Sequence, residues 1–150
     1  MQQTPGLSEL RTMSEDLSES TKPRWGTMNA AQMCRHCTSF IRLSLGEKKT
    51  SRTTRLIGWL VGKYMYRYFS TKNPWTFPKN LRTLPEIKQR HDRVLDFELE
   101  KEQLHQWLLK AESVEGWVRH PLYGKMEARS IINLIAMHTA YHFRQFGLID

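Results

Sequence analysis

At 150 residues the chain has the length of one domain and enough material to bury a sizeable core. Its 39% hydrophobic and 11% aromatic content excludes a disordered composition. The net charge of +8 is local: residues 48–93 carry twelve Lys and Arg against Glu86 and Asp92, residues 1–47 balance at five against five, and residues 94–150 hold six against eight. That points to a local anionic partner or surface rather than a generally basic protein.

The opening "MQQTPGLSEL" is polar and lacks the apolar core of a secretory leader, so a cytoplasmic protein is expected. A first helix is predicted from Gly6 to Ser18, with Leu7, Leu10, Met13 and Leu17 at helical spacing. A second starts near Asn29, a good N-cap with Gln32 three residues on, and runs to Leu45 before Gly46. Its apolar stripe is Met33, His36, Phe40 and Leu43.

The middle, 48–83, is irregular. "RLIGWLVGKYMYRYF" reads as one or two short helices, and its apolar run is too short to span a bilayer. "TKNPWTFPKN" reads as a loop because of Pro74 and Pro78. A long helix is predicted from Pro85 to Ala111, with Ile87, Val94, Phe97, Leu104, Leu108 and Ala111 as its stripe, interrupted by Lys101. "EGWVRHPLYGK" reads as a loop, and no segment shows convincing strand alternation. The last helix is predicted from Glu127 to Phe146, with Ile131, Leu134, Ile135, His138 and His142 in register. The expectation is an all-α chain, a single domain over 1–150, with four substantial helices and one long connection, which suits a four-helix bundle. A short echo links "RWGTMNAAQM" and "LYGKMEARSI": each reads aromatic-Gly-x-Met-x-Ala ahead of a helix.

His138 and His142 are one turn apart, ~40° from each other on one face. Imidazoles so placed can converge on one metal ion. A third ligand must come from another helix, and His36, between Met33 and Phe40, is the best placed. The H-x-x-x-H spacing also arises by chance in many helices, and a lone histidine on an apolar face is more often a hydrogen-bonded core residue. Cys34 lies ~200° and Cys37 ~100° around the helix from His36. Cys34 cannot share a metal with it on an intact helix, and Cys37 is poorly placed to. The two cysteines, ~60° apart, form a geometrically conceivable C-x-x-C pair, but no second C-x-x-C or nearby His pair completes a zinc site. Both are expected to be small buried thiols in helix contacts.

With these residues in view, "RWGTMNAAQMCRHCTSFIRLSLGE" and "HPLYGKMEARSIINLIAMHTAYHFRQFGLI" together resemble a branch of the DinB/YfiT-like superfamily of metalloproteins. That branch pairs an aromatic-Gly-x-Met entry and a single His on the second helix with an H-P-x-aromatic-Gly loop. It closes on an H-x-x-x-H helix ending in R-Q-F-G. The resemblance covers 24–47 and 120–149 and is weak between. It implies a four-helix bundle of up-down-down-up course, with a long, partly helical connection between its second and third helices. It also implies a divalent metal, zinc or nickel, near one end of the bundle, held by His36, His138 and His142. Glu127 stands where relatives often have a Ser or Thr cap.

Open three-histidine sites favour catalysis or ligand binding over a structural role. Characterised members of the superfamily include transferases and isomerases that use a low-molecular-weight thiol. The resemblance therefore implies a metal-dependent thiol S-transferase, or a related hydrolase or isomerase, acting on a small electrophilic substrate. Gln145, Tyr141 and His120 are candidates for contacts to a ligand or substrate. The alternative is a non-enzymatic nucleic-acid binder using the basic, aromatic region 48–93, which lacks any recognised binding motif. A homodimer, or a superficial membrane contact, through "LIGWLVGKYMYRYF" is also open.

Overall fold

A computed structural model describes residues 3–150. The chain is mostly helical with one small sheet, in the order α1 (Leu7–Met13), α2 (Ala30–Ser44), α3 (Arg52–Ser70), α4 (Phe97–Glu112), β1 (Trp117–His120), β2 (Gly124–Glu127) and α5 (Ala128–Gln145). The core draws on α1, α2, α4 and α5, with Leu10, Met33, Ile41, Leu104, Ile135 and Phe143 at its centre. Among the described residues no helix is long and apolar enough to cross a membrane.

α2 starts where its cap dictates. Asn29 Oδ1 accepts from the Gln32 amide at 2.8 Å, and the Asn29 amide donates to Gln32 Oε1 at 3.0 Å. Gly46, at φ 75°, turns the chain away after its last turn. α2 packs most extensively against α4 and also against α5, which brings His36 opposite His138 and His142.

α1 is shorter than its periodicity suggests, and a 3-10 turn at Ser14–Asp16 follows it. Lys101, which interrupts the apolar stripe of α4, donates to the carbonyls of Glu15 and Leu17, both at 2.9 Å. It therefore ties α4 to the chain leaving α1, and its charge satisfies backbone acceptors that the turn leaves open.

Two predicted elements differ. The helix expected from Pro85 begins only at Phe97, where Asp96 Oδ1 accepts from the Leu99 amide at 3.0 Å and Glu98 and Glu100 follow in the first turn. Residues 85–96 are turns and irregular chain. The supposed stripe is not one face there: Ile87 is buried while Val94 is 97% exposed. The segment expected as the loop "EGWVRHPLYGK" contains an antiparallel hairpin in which Val118 pairs with Met126 and His120 with Gly124. Strands of four residues are too short to display an alternation. The hairpin also explains the uncapped start of α5. Glu127 makes no side-chain cap, and the Ala128 amide donates instead to the Gly116 carbonyl at 2.9 Å.

α3 is a single 19-residue helix, capped by Ser51 Oγ accepting from the Thr54 amide at 3.0 Å. It lies so close to the hairpin turn that a Cβ on Gly58 would stand 2.7 Å from the Leu122 Cα, and one on Gly62 would meet the Leu122 carbonyl still more tightly. Glycine at these two positions is what lets α3 close over the turn carrying His120.

Candidate metal centre

His36, His138 and His142 each offer a ring nitrogen, and those three atoms all lie within 4.8 Å of one another. The ring centroids are 5.1 Å apart for His36 and His138, and 4.7 Å for each of the other two pairs. Helix spacing alone places His138 and His142 together. Bringing in His36 requires α2 to pack on α5.

Backbone and side-chain acceptors decide the tautomers. His36 Nδ1 is 2.9 Å from the Ile87 carbonyl, which can only accept, so Nδ1 carries the proton and Nε2 keeps its lone pair. Gln145 Nε2 donates to the Trp25 carbonyl at 2.6 Å, which turns Gln145 Oε1 toward His142 Nδ1 at 2.7 Å. His142 must therefore carry its proton on Nδ1, again freeing Nε2. His138 lies flat on Phe40, with centroids 3.7 Å apart and planes 5° from parallel. Its Nδ1 is buried and has no hydrogen-bond partner among the described residues.

All three imidazoles are held neutral. Burial pushes His36 below its ordinary range, against a smaller opposing pull from the Ile87 carbonyl. Burial, then the proximity of His142 and His36, holds His138 well below it. Burial and then His36 bring His142 down to about 3, with the Gln145 hydrogen bond opposing. Neutral rings with free lone pairs are what a divalent cation requires. The donor set fits: two lone pairs oriented by hydrogen bonds at the far side of each ring, and an orphaned nitrogen on the third. Two nitrogens each ~2.1 Å from one tetrahedral ion lie about 3.4 Å apart, so the widest pair would close by about 1.4 Å at most, a movement shared between two side chains.

The triad opens on a cavity of about 360 Å³. Phe40, Leu43, Met65, Phe69, Phe77 and Met137 give it an apolar wall, while Arg82 and Lys88, both exposed, border it from the segment ahead of α4.

A family model described as a protein of unknown function, DUF1569, matches residues 3–147. The chain belongs to the DUF1569 family. The match runs from ahead of α1 to beyond α5 and includes all three histidines. No curated protein and no solved structure matches.

In this DUF1569 chain Gln145, Tyr141 and His120 all line the same cavity. Tyr141 Oη accepts from Trp25 Nε1 at 3.3 Å and donates to the Pro78 carbonyl at 3.4 Å, so it braces the wall. His120 is fully buried at the hairpin turn, and its Nδ1 accepts from the amides of Leu122 and Tyr123 at 3.1 and 3.2 Å. An accepting Nδ1 leaves the proton on Nε2, and that N–H has no partner among the described residues. Burial brings the His120 pKa down to about 4.

The cysteines stand apart from the triad. Cys34 and Cys37 are fully buried in the core, and the Cys37 thiol donates to Met33 Sδ at 3.8 Å. Burial pushes Cys34 up to about 12 and Cys37 well above its ordinary range, so neither is a thiolate at neutral pH. Sequence reasoning does not find the two carbonyls that orient the centre. Ile87 reads there as a core residue of a helix, and Trp25 as an aromatic turn entry. The echo was the available signal: Gly26 and Gly124 both take left-handed φ, 82° and 79°, and the preceding Trp25 and Tyr123 both line the cavity.

Proposed function

We propose that this DUF1569 chain is a divalent-metal protein of the DinB/YfiT-like kind. In this reading α1, α2, α4 and α5 are the bundle helices, and the stretch holding α3 is the long connection between its second and third. Zinc or nickel is held by Nε2 of His36, Nε2 of His142 and a ring nitrogen of His138. The observation that carries the reading is the convergence of three neutral imidazoles within 4.8 Å, His36 and His142 buried and His138 half-buried, two with their tautomers set by hydrogen bonds. A divalent ion held by three neutral imidazoles keeps coordination positions open and supplies a nucleophile at neutral pH by lowering the pKa of a thiol or water.

The reaction class is thiol-dependent transfer to a small electrophile, with hydrolysis or isomerisation as the related chemistries. The chain's residues divide the task. Ile87 and Gln145 orient two of the ligands. The apolar wall of Phe40, Leu43, Met65 and Phe69 keeps water from the reacting groups. Arg82 and Lys88 suit the carboxylate of an anionic low-molecular-weight thiol. The unpartnered His120 Nε2–H is a donor for an oxygen of the electrophile. Two free, buried thiols accord with work in a reducing cytoplasm.

The test is metal analysis of protein purified without a histidine tag, wild type beside His36→Ala and His138→Ala. About one equivalent of metal in the wild type, lost in both variants, is expected. Equal metal content in all three overturns the proposal.

A further inference from the structure

α3 buries only Thr54, Gly58 and Gly62, although it is the longest helix among those described. Its inner face rests on the hairpin turn, and Met65 and Phe69 wall the cavity. Its outer face is apolar. Trp59 and Tyr64 are 79% and 78% exposed, and Leu56, Ile57, Leu60, Val61 and Tyr68 are also exposed. At ~100° per residue, Leu56, Leu60, Tyr64, Ile57, Tyr68 and Val61 fall within an arc of about 140°. Lys63, Arg52 and Trp59 lie within about 60° beyond the Leu56 edge of that arc, Arg67 about 20° inside that edge and Arg55 about 100° beyond it. None of the four basic residues makes an ion pair among the described residues. Between Glu47 and Glu86 the chain has no acidic residue at all.

An apolar stripe with cations along one edge and exposed Trp and Tyr is the pattern of a helix lying in a membrane interface. We infer that α3 docks this protein on an anionic lipid surface, with Leu56, Ile57, Leu60 and Val61 in the acyl boundary and Arg52, Arg55, Lys63 and Arg67 on the headgroups. Charge complementarity selects this occupant. A second copy meeting the same face brings an equally basic helix against it, with no carboxylate to compensate. A single-stranded nucleic acid matches the cations and aromatic rings, but bases stack on π-faces, and the four aliphatic side chains offer none. A bilayer takes both halves of the surface. Docked in this way, the helix that walls the cavity lies directly on the lipid. The inference is independent of the metal reading, since no residue in it belongs to the triad.

The experiment is vesicle co-sedimentation of the full chain, with phosphatidylcholine vesicles beside vesicles containing phosphatidylserine, at low and high salt. Two variants accompany it: the combined Ile57→Ser, Leu60→Ser, Tyr64→Ser, and the combined Lys63→Glu, Arg67→Glu. All these side chains are exposed and outside the cavity lining. Circular dichroism and a cooperative thermal transition like that of the wild type establish that each variant is folded. The wild type is expected to bind phosphatidylserine vesicles at least about tenfold more tightly than phosphatidylcholine, less so at high salt. The apolar variant loses about tenfold or more on both, and the charge variant loses the preference. Metal-stripped protein binds as the loaded protein does, so a failed metal reading leaves this result standing. Absence of vesicle binding, or binding unchanged in both variants, overturns the inference. So does a dimer in sedimentation velocity that the apolar variant dissolves, or binding of a thymidine oligonucleotide in place of vesicles.

Discussion

Gln145 stands between His142 and Trp25, accepting from His142 Nδ1 at 2.7 Å and donating to the Trp25 carbonyl at 2.6 Å. One amide thus joins α5 to the turn ahead of α2 and fixes which imidazole nitrogen of His142 is free. Partners of this kind contribute to affinity by holding a ligand in the productive orientation. Gln145→Leu should lower metal affinity about 10- to 100-fold with little loss of fold, and Gln145→Glu, which keeps an acceptor, should recover part of it. Competition with a chromophoric chelator measures both. Unchanged affinity in the leucine variant would show that His142 needs no orienting partner.

Gly26 supports the same link from the other side. A Cβ there would sit 2.6 Å from Gln145 Nε2, and its φ of 82° disfavours any L side chain. Gly26→Ala should push the amide off Trp25 and reproduce the affinity loss of Gln145→Leu. A double variant should then lose little more than either single one, because both act on one interaction.

Gly62→Ala is a test of how α3 is seated. Alanine favours helix by about 1 kcal/mol over glycine in an exposed helix, so a free helix would gain stability. Here the added methyl runs into the Leu122 carbonyl, which is backbone and cannot rotate away. The variant should melt at a lower temperature than wild type. A raised melting temperature would mean that α3 does not sit against the hairpin turn.

The buried histidines make the metal-free protein acid-sensitive. His120 has an ordinary value of 6.5 and a folded value of about 4, and His142 falls from 6.5 to about 3. Because the folded values are depressed, the unfolded chain binds protons that the folded chain refuses. The stabilising contribution is present in full above about pH 6.5 and is lost as pH falls toward 4 and then 3. At ~1.4 kcal/mol per unit, His120 alone accounts for about 3 kcal/mol over its range. Urea midpoints of chelator-treated protein at pH 7.5 and 4.5 should differ accordingly, and His120→Asn should reduce the difference.

Cys34 and Cys37 should contribute nothing to the metal centre. Both thiols are fully buried, and burial raises both pKa values. Replacing both with Ala should leave metal stoichiometry unchanged, and the native thiols should react with a thiol reagent only after denaturation. Metal loss from a folded double variant would place a thiol in the site.

What was legible in the sequence was local. The Asn29–Gln32 capping pair sets the start of α2, and the four-residue spacing of His138 and His142 puts both on one face of α5 whatever they pack against. Helical phase also separates His36 from the cysteines beside it. These follow from bonds and angles within a few residues of one another. The hairpin and the late start of α4 were not legible, because short strands show no period and Ile87 and Val94 look alike until one is buried and the other is not. The meeting of His36 with His138 and His142, about a hundred residues apart, depends on the packing of α2 on α5. The proton positions depend on carbonyls of Ile87 and Trp25, which every residue type possesses and no side-chain pattern marks. Whether the apolar stripe of α3 was core or surface was likewise decided in three dimensions: two glycines seat its narrow side on the hairpin, and the broad side is left to solvent.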